Sequence, residues 1–271
     1  MRILVTNDDG IDSVGLHILA RAMQPFGDVL IVAPDEEYSG AGAAIGAIWM
    51  MTPEVHTGHV EGIETAWAVS GPPALCVMFA RLGAFGPPPD LIVSGINPGA
   101  NVGRSVYHSG TVGAAVTGRN GGISGVAVSQ AVTGFGVEGQ GWEEALVNQK
   151  WDTAATVAAN VVETLVAEPP AESGVLNINV PNLDVAEIKG YRWTEVGHGP
   201  PRAMSTAKLE PKPGHADSFR VKMDWGDATE PPPNSDTAAV LADEVSLTWL
   251  SRVTAEQRPS PAIDAGLERL L

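Results

Sequence analysis

The chain has 271 residues, of which 44% are hydrophobic and 18% are charged, a balance that excludes a wholly disordered or fibrous protein. The 32 acidic and 16 basic side chains give a formal net charge of −16. This charge repels polyanions and disfavours binding to a nucleic-acid duplex or an anionic membrane through a broad basic face. Small phosphorylated molecules remain possible ligands, because a few aimed backbone N–H groups or a metal ion can dominate the local field.

The cysteine content and the N-terminal residues bear on the cellular compartment. A single cysteine, Cys76, excludes an internal disulfide framework and a cysteine-rich zinc site, and its apolar neighbours predict a buried thiol. No signal-peptide core follows Arg2, because Asn7 interrupts the apolar run. No apolar stretch approaches the roughly 20 residues that cross a bilayer. We therefore expect a cytoplasmic protein that does not bind membranes.

Short apolar runs alternate with helical patterns from the first residues onward. Strands are predicted at 2–6, 28–33, 90–94, 125–129 and 175–180, and helices at 15–23, 72–84, 110–119 and 151–167. Strands that alternate with helices imply right-handed β-α-β units. The sequence therefore predicts an α/β fold, in which helices cover both faces of a parallel sheet.

The second half of the chain is less regular. Alternating patterns at 191–196 and 218–225 predict strands, whereas 197–213 and 230–233 are rich in glycine and proline. Such joints are typical of hairpin arms that project from a core. We expect residues 182–271 to extend a core formed by residues 1–181 within one domain, and to contribute to the interface of a homodimer or homotetramer.

Polar loops follow the first three predicted strands. The first, Asn7-Asp8-Asp9-Gly10, sets two carboxylates side by side where Gly10 permits the backbone to bend toward one cation. An ordinary Asx turn is the alternative for this loop taken alone. Residues 35–41 and 95–101 bring further oxygen donors to the same predicted sheet edge. Oxygen donors without cysteine or a histidine pair suit Mg²⁺ or Mn²⁺ better than Zn²⁺.

A fourth motif opens the helix predicted at 110–119. Ser109 can cap this helix, so that its first N–H groups and the Thr111 hydroxyl point outward. A helix N-terminus beside a metal site binds phosphate, although a Ser-Gly-Thr start on its own is more often a plain cap. Arg104 or His108 could supply a positive charge or a proton, with an ordinary surface position as the alternative.

These segments resemble the survival protein E (SurE) family of metal-dependent nucleotidases, which are phosphatases that act on nucleoside monophosphates. The resemblance is carried by residues 2–11, 33–35 with 39–41, 90–101 and 109–112, and weakly by 177–181. It covers most of the first half of the chain and thins beyond Pro181. It implies a Rossmann-like core whose C-terminal extension is exchanged between subunits.

The resemblance also implies roles for individual residues. One Mg²⁺ or Mn²⁺ ion would be held by four oxygen-bearing side chains, those of Asp8, Asp9, Ser39 and Asn97. The phosphate pocket would be lined by Gly40, Asn101, Ser109, Gly110 and Thr111. Asp8 and Asp9 would be catalytic, and two mechanisms fit. A water molecule attacks the phosphorus in one, whereas Asp8 attacks it and forms an aspartyl phosphate in the other.

The sequence departs from the family pattern at several positions. Glu36, Glu37 and Tyr38 stand where basic or amide residues are usual, and we expect the two carboxylates to oppose an approaching phosphate dianion. Other departures are Pro72, Ala74 and Leu75 in place of two threonines and an aspartate, Ser105 and His108 in place of aspartate and tyrosine, and Asn234-Ser235-Asp236-Thr237 in place of Gly-Thr-Asp.

Three functions follow from these observations. A divalent-metal phosphomonoesterase acting on nucleoside 5′- or 3′-monophosphates is favoured. The alternative is a protein of the same fold that binds a nucleotide or phosphometabolite without turnover, or with altered specificity. A dinucleotide dehydrogenase is disfavoured, because Asn7-Asp8-Asp9-Gly10 occupies the turn where a Gly-x-Gly-x-x-Gly loop receives pyrophosphate.

Overall fold

The computed structural model describes residues 1–46, 48, 52–132, 146–198, 204–215, 217–227, 229–255 and 258–269. The strands, in chain order, are β1 (Arg2–Thr6), β2 (Asp28–Pro34), β3 (Val55–Thr57), β4 (Thr65–Val69), β5 (Leu91–Pro98), β6 (Ser124–Gln130), β7 (Val175–Val180), β8 (Gly190–Trp193), β9 (Met204–Pro211), β10 (Phe219–Trp225) and β11 (Glu244–Leu250). The α-helices are α1 (Val14–Met23), α2 (Pro73–Arg81), α3 (Gly110–Asn120), α4 (Trp151–Ala167), α5 (Asp236–Leu241) and α6 (Pro261–Glu268). Short 3-10 helices cover Gln24–Phe26, Gly103–Tyr107 and Val185–Glu187.

Within the described residues, nine strands form one sheet in the order β3-β4-β2-β1-β5-β6-β7-β11-β8. Neighbouring strands from β4 to β7 run parallel. At the two ends, β3 is antiparallel to β4 and β11 is antiparallel to β7, while β8 is parallel to β11. The predicted α/β fold with a mainly parallel sheet is confirmed.

Helices cover both faces of the sheet, and β1 shows why its sequence is apolar throughout. Ile3 and Val5 pack in the cluster formed with α1 and α4, whereas Leu4 packs in the cluster formed with α2 and α3. Successive side chains of a strand point to opposite faces, so a strand covered on both sides needs apolar residues at every position. Cys76 of α2 is fully buried as predicted, and burial raises the pKa of its thiol.

The strand β5 extends further than the sequence predicted. The prediction ended at Ser94, but pairing with β6 resumes after a register shift, and Asn97 lies opposite Ser129. Gly95 makes this possible, because its φ of +136° is rarely adopted by other residues and a Cβ there would lie 2.3 Å from a carbonyl oxygen of β6. Asn97 therefore belongs to the strand and not to the following loop.

The C-terminal extension supplies two more strands to the sheet and a separate hairpin. Its strands β8 and β11 continue the main sheet beyond β7, whereas β9 and β10 pair only with each other as an antiparallel hairpin. The hairpin exposes Leu209, Phe219 and Val221. None of the described helices is long and apolar enough to cross a membrane.

Candidate active site

Successive strands of the chain are added to opposite sides of the sheet on either side of the β1–β5 pair. On one side of this point β2 and β4 follow β1, and on the other side β6 and β7 follow β5. Open α/β sheets bind ligands outside the carboxyl ends of their strands at such a switch point. Asp8 lies just after β1, Asn97 lies near the end of β5, and α3 begins beside them at Gly110. Three of the predicted motifs therefore meet at one edge.

Asp8 joins the end of β1 to the N-terminus of α3. Its Oδ2 accepts a hydrogen bond from the Gly110 N–H at 3.0 Å, and its Oδ1 accepts one from the Thr111 hydroxyl. Ser109 caps the helix, since its Oγ accepts from the Val112 N–H at 3.1 Å. The Asp8 side chain is almost fully buried, and burial raises its pKa although these hydrogen bonds act in the opposite direction. The helix N-terminus thus holds a buried carboxylate in a fixed position.

Asn97 of β5 lies beside Asp8 and Thr111. Its side-chain nitrogen donates to the Gly99 carbonyl at 2.7 Å, and this orients its Oδ1 toward Thr111, whose Oγ1 lies 3.3 Å away. The amide oxygen of Asn97 and the carboxylate of Asp8 therefore face the same hydroxyl.

Asp9 is half-buried, and one of its oxygens lacks a hydrogen bond. This oxygen, Oδ2, is out of contact with solvent and accepts no hydrogen bond from any residue that the structure describes. Burial raises the pKa of Asp9 to about 8, and the charges of Asp8 and Glu37 act in the same direction. A cation next to this pair would relieve the repulsion and supply the missing interaction. The donor chemistry of the pair therefore fits a divalent metal ion.

The side chains around Asp8 and Asp9 limit which metal ions could bind there. Among the described residues, no three His, Cys, Asp or Glu side chains cluster tightly enough to hold a metal by themselves. An ion bound here would rely on two carboxylates together with amide, hydroxyl, water and substrate oxygens. That pattern is typical of Mg²⁺, which keeps several waters and is completed by substrate phosphate.

The loop that follows β2 is drawn toward the site by two backbone contacts. The Tyr38 N–H donates to the Asp8 carbonyl at 2.7 Å, and the Gly42 N–H donates to the His108 carbonyl at 2.9 Å. The first contact attaches the loop to β1, and the second attaches it to the segment that precedes α3. His108 and Arg104 both have exposed side chains.

Ser39 and Gly40 lie between these two anchors and are exposed. The Ser39 hydroxyl donates to Glu37 Oε1 at 2.8 Å, within its own loop. Glu37 is thus both the hydrogen-bond partner of Ser39 and a charge that acts on Asp9. This contact uses the hydrogen of the Ser39 hydroxyl, so its oxygen lone pairs remain available to a cation.

Asn101 is embedded in a buried polar network that the sequence did not reveal. Its N–H donates to Asn179 Oδ1 at 2.7 Å, and its side-chain nitrogen donates to Ser129 Oγ at 2.8 Å. Its carbonyl accepts from the side chains of Asn177 at 2.9 Å and Asn179 at 3.2 Å. A signal for this network was available, because both asparagines alternate with apolar residues in a strand that is buried on both faces.

Two carboxylates lie beside a helix N-terminus at the switch point of a mainly parallel sheet, which is the arrangement of a Rossmann-like α/β protein. Comparison with known proteins identifies the family within this class. Residues 3–202 match the family model described as Survival protein SurE. The chain belongs to the SurE family.

Its relatives include enterobacterial proteins named 5′/3′-nucleotidase SurE. The Erwinia tasmaniensis protein is 36% identical over 254 residues, which cover 92% of this chain and 90% of the relative. The Klebsiella pneumoniae protein is 34% identical over 274 residues, which cover 100% of this chain and 98% of the relative. The crystal structure of the SurE protein from Aquifex aeolicus superposes with a TM-score of 0.74 at 28% identity, covering 100% of this chain and 99% of that one. The likeness therefore includes the C-terminal extension.

Proposed function

We propose that this protein hydrolyses the phosphomonoester of nucleoside 5′- or 3′-monophosphates with the help of a divalent metal ion. The observation that carries the proposal is the junction of Asp8 with the first turn of α3, next to the partnerless oxygen of Asp9. The helix N-terminus offers the positive end of its dipole to phosphate oxygens, and the carboxylates offer ligands to a cation. The nucleotidase names of relatives at 34% and 36% identity support the same activity.

The metal is Mg²⁺ or Mn²⁺ in this proposal, held by Asp8 and Asp9 with Asn97 and Ser39 as further oxygen donors. These are the donor types that both ions prefer. When bound, such an ion polarises the phosphoryl group and lowers the pKa of water.

The residues of the chain bind and orient the substrate. The phosphate group lies against Gly40, Asn101, Ser109, Gly110 and Thr111. The positive end of the α3 dipole attracts its oxygens, and the Ser109 cap keeps the first turn in place. Asp8, fixed by Gly110 and Thr111, then either orients a water that attacks the phosphorus or attacks the phosphorus itself. In both routes the P–O bond to the nucleoside breaks and the nucleoside leaves as its alcohol, and in the second route a water molecule then hydrolyses the aspartyl phosphate to phosphate and free Asp8. Both steps need the carboxylate of Asp8 to be deprotonated.

Release of phosphate from a panel of nucleoside 5′- and 3′-monophosphates tests the proposed function. We expect turnover with Mg²⁺ or Mn²⁺, no turnover with excess EDTA, and recovery when either ion is restored. Full activity after exhaustive chelation would contradict the metal site. Nucleotide binding without release of phosphate would favour the alternative, a binding protein on the same fold.

Glu37 is expected to weaken the binding of substrate. Its carboxylate acts on Asp9, so Glu37→Gln should reduce repulsion of a phosphate dianion by about 1 kcal/mol. The expected result is a KM about fivefold lower for a nucleoside monophosphate, with little change in kcat. Glutamine can still accept the Ser39 hydrogen bond, so the loop is preserved.

Glu36→Gln is the matched control for that prediction. It removes the same charge from the same exposed loop, whereas Glu37 is the glutamate whose charge raises the pKa of Asp9. Steady-state kinetics at low and high salt should show a larger change in KM for Glu37→Gln, and the change should shrink as salt rises. An unchanged KM in both variants would show that these acids form an ordinary solvated loop.

Two apolar surfaces lie exposed in and beside the extension. One is a groove of about 780 Å³ between α4 and the strands β8 and β11, where Trp193 and Trp249 stack with ring centroids 6.5 Å apart. The other is α6, which buries no residue and exposes Ile263 and Leu267 one turn apart. The protein is a homodimer or homotetramer in which α6 of one subunit occupies the groove of another.

Light scattering of the native chain checks this assembly. The chain should behave as an oligomer at micromolar concentration, and Ile263→Asp with Leu267→Asp should shift it toward the monomer. Asp264→Asn changes the same helix without touching its apolar stripe, and it should leave the oligomer intact. A native chain that is monomeric at this concentration would refute the proposal.

The domain division belongs to the same proposal. The proposed metal and phosphate ligands all lie in the catalytic core of residues 1–181, and residues 182–271 contribute β8, β11 and α6 to the oligomer interface. The cytoplasmic location stays a prediction.

A further inference from the structure

Asp236 begins α5 in the C-terminal extension and is completely buried. Its Oδ2 accepts a hydrogen bond from the Gly103 N–H at 2.8 Å. Its Oδ1 accepts from the Gly197 N–H at 3.0 Å and from the Thr237 N–H at 2.8 Å. The Thr237 hydroxyl also donates to Oδ1 at 3.4 Å, so both oxygens act only as acceptors. A carboxylate satisfies this requirement, whereas a carboxamide would turn its NH₂ group toward another donor.

Gly103 lies at the start of the segment that leads into α3. The preceding residue, Val102, packs against Val240 of α5. The Ser105 hydroxyl donates to the Val102 carbonyl at 2.6 Å, and the Ser109 N–H donates to the Ser105 carbonyl at 3.0 Å. A continuous series of contacts therefore runs from α5 to the cap of α3.

The same segment is held from the opposite side by β7. Asn179 accepts from the Asn101 N–H at 2.7 Å, two residues before the contact that Asp236 makes. The segment 101–109 is thus clamped between a strand of the core and a helix of the extension. A turn clamped at both sides can hold the N–H groups of α3 in one direction.

We propose that Asp236 is a positioning residue for the phosphate-binding turn, which it holds through Gly103 so that the N-terminus of α3 stays aimed at the phosphate group. The inference rests on the proposed function of that turn. Asp236 does not touch Asp8 or the first turn of α3, and it acts on them through the segment 103–109. The extension then serves catalysis indirectly, by way of this segment, in addition to its place in the sheet.

The test compares Asp236→Asn with Ser235→Ala. Ser235 is the neighbouring residue and is equally buried, and it caps α5 by accepting from the Ala238 N–H at 3.2 Å. Its hydroxyl donates to the Pro232 carbonyl at 2.7 Å and does not serve the segment 101–109. Both variants lose hydrogen bonds at the same helix end, so both should lower Tm.

Kinetics separate the two variants. With AMP as substrate and Mn²⁺ present, well below the Tm of each variant, Asp236→Asn should lower kcat/KM by about 10- to 100-fold, because small displacements of binding groups are costly. Ser235→Ala should stay within about twofold of the native enzyme. Equal kcat/KM in the two variants would overturn the proposal.

A second readout does not depend on turnover. Titration calorimetry with inorganic phosphate and Mn²⁺ should show weaker phosphate binding for Asp236→Asn than for Ser235→Ala, and equal affinities would overturn the positioning role. Turnover of AMP by the native enzyme in the same series tests the proposed function separately.

If Asp236→Asn does not fold, Val240→Ala loosens the same segment through Val102. In that variant, a several-fold loss of kcat/KM supports the proposal and native kinetics overturn it.

Discussion

Asp8→Asn is expected to lower kcat/KM for nucleoside monophosphates by about 30- to 1,000-fold, equivalent to about 2–4 kcal/mol of transition-state stabilisation. Both oxygens of Asp8 accept hydrogen bonds, from the Gly110 N–H and the Thr111 hydroxyl. An amide NH₂ in place of either oxygen disturbs this junction, and it also removes the charge that a cation requires. Asp9→Asn should fall in the same range, because it removes half of the carboxylate pair.

Steady-state kinetics across a Mn²⁺ titration measure this effect. Asp12→Asn is the control, since it removes a carboxylate of the same loop region whose side chain is exposed. We expect Asp12→Asn to match the native enzyme and Asp9→Asn to need more Mn²⁺ for its residual activity. If either the Asp8 or the Asp9 variant keeps the native kcat, that residue takes no part in catalysis.

The central strands could be predicted from sequence because their pattern is local. The strands β1 and β2 are apolar runs closed by turn residues, and burial on both faces requires that composition. The strands β3, β4, β9 and β11 were missed, since each mixes polar and apolar residues. Ser246 and Thr248 of β11, for example, face Thr194, whose hydroxyl lies 2.8 Å and 2.6 Å from theirs. Which face of such a strand is covered depends on tertiary packing, and periodicity alone does not show it.

The same distinction applies to the site. Asp8 and Gly110 are 102 residues apart, yet their meeting could be predicted, because parallel strands deliver their carboxyl ends to one edge. No comparable rule predicts that Asp236 reaches Gly103 across 133 residues. The Ser39 contact with Glu37 was also missed, since a loop conformation decides it. Topology therefore predicts which loops converge, while packing decides where individual side chains point.

Gly110→Ala is expected to reduce kcat/KM by about 100-fold while the protein remains folded. A Cβ at this position would lie 2.7 Å from the Asp8 Cβ and 2.8 Å from its Oδ2. Asp8 is 3% exposed and has little room to yield, so the carboxylate or the first turn of α3 must shift. Either shift breaks the hydrogen bond between the Gly110 N–H and Asp8. Alanine also favours the helix by about 1 kcal/mol relative to glycine, which offsets part of the steric cost in Tm.

Gly118→Ala is the matched control in the same helix. Its Cβ would lie 2.6 Å from Cγ1 of Ile92, a buried side chain of the core. The substitution gains the same helix propensity and meets a similar steric conflict, but it lies about 12 Å further along the helix from Asp8. We expect the two variants to have comparable Tm values and only Gly110→Ala to lose much of its kcat/KM. That result would place the reaction at the junction of Asp8 and α3. A similar loss in both variants would instead show that any distortion of α3 impairs activity, and native kinetics in Gly110→Ala would exclude the junction as the reaction centre.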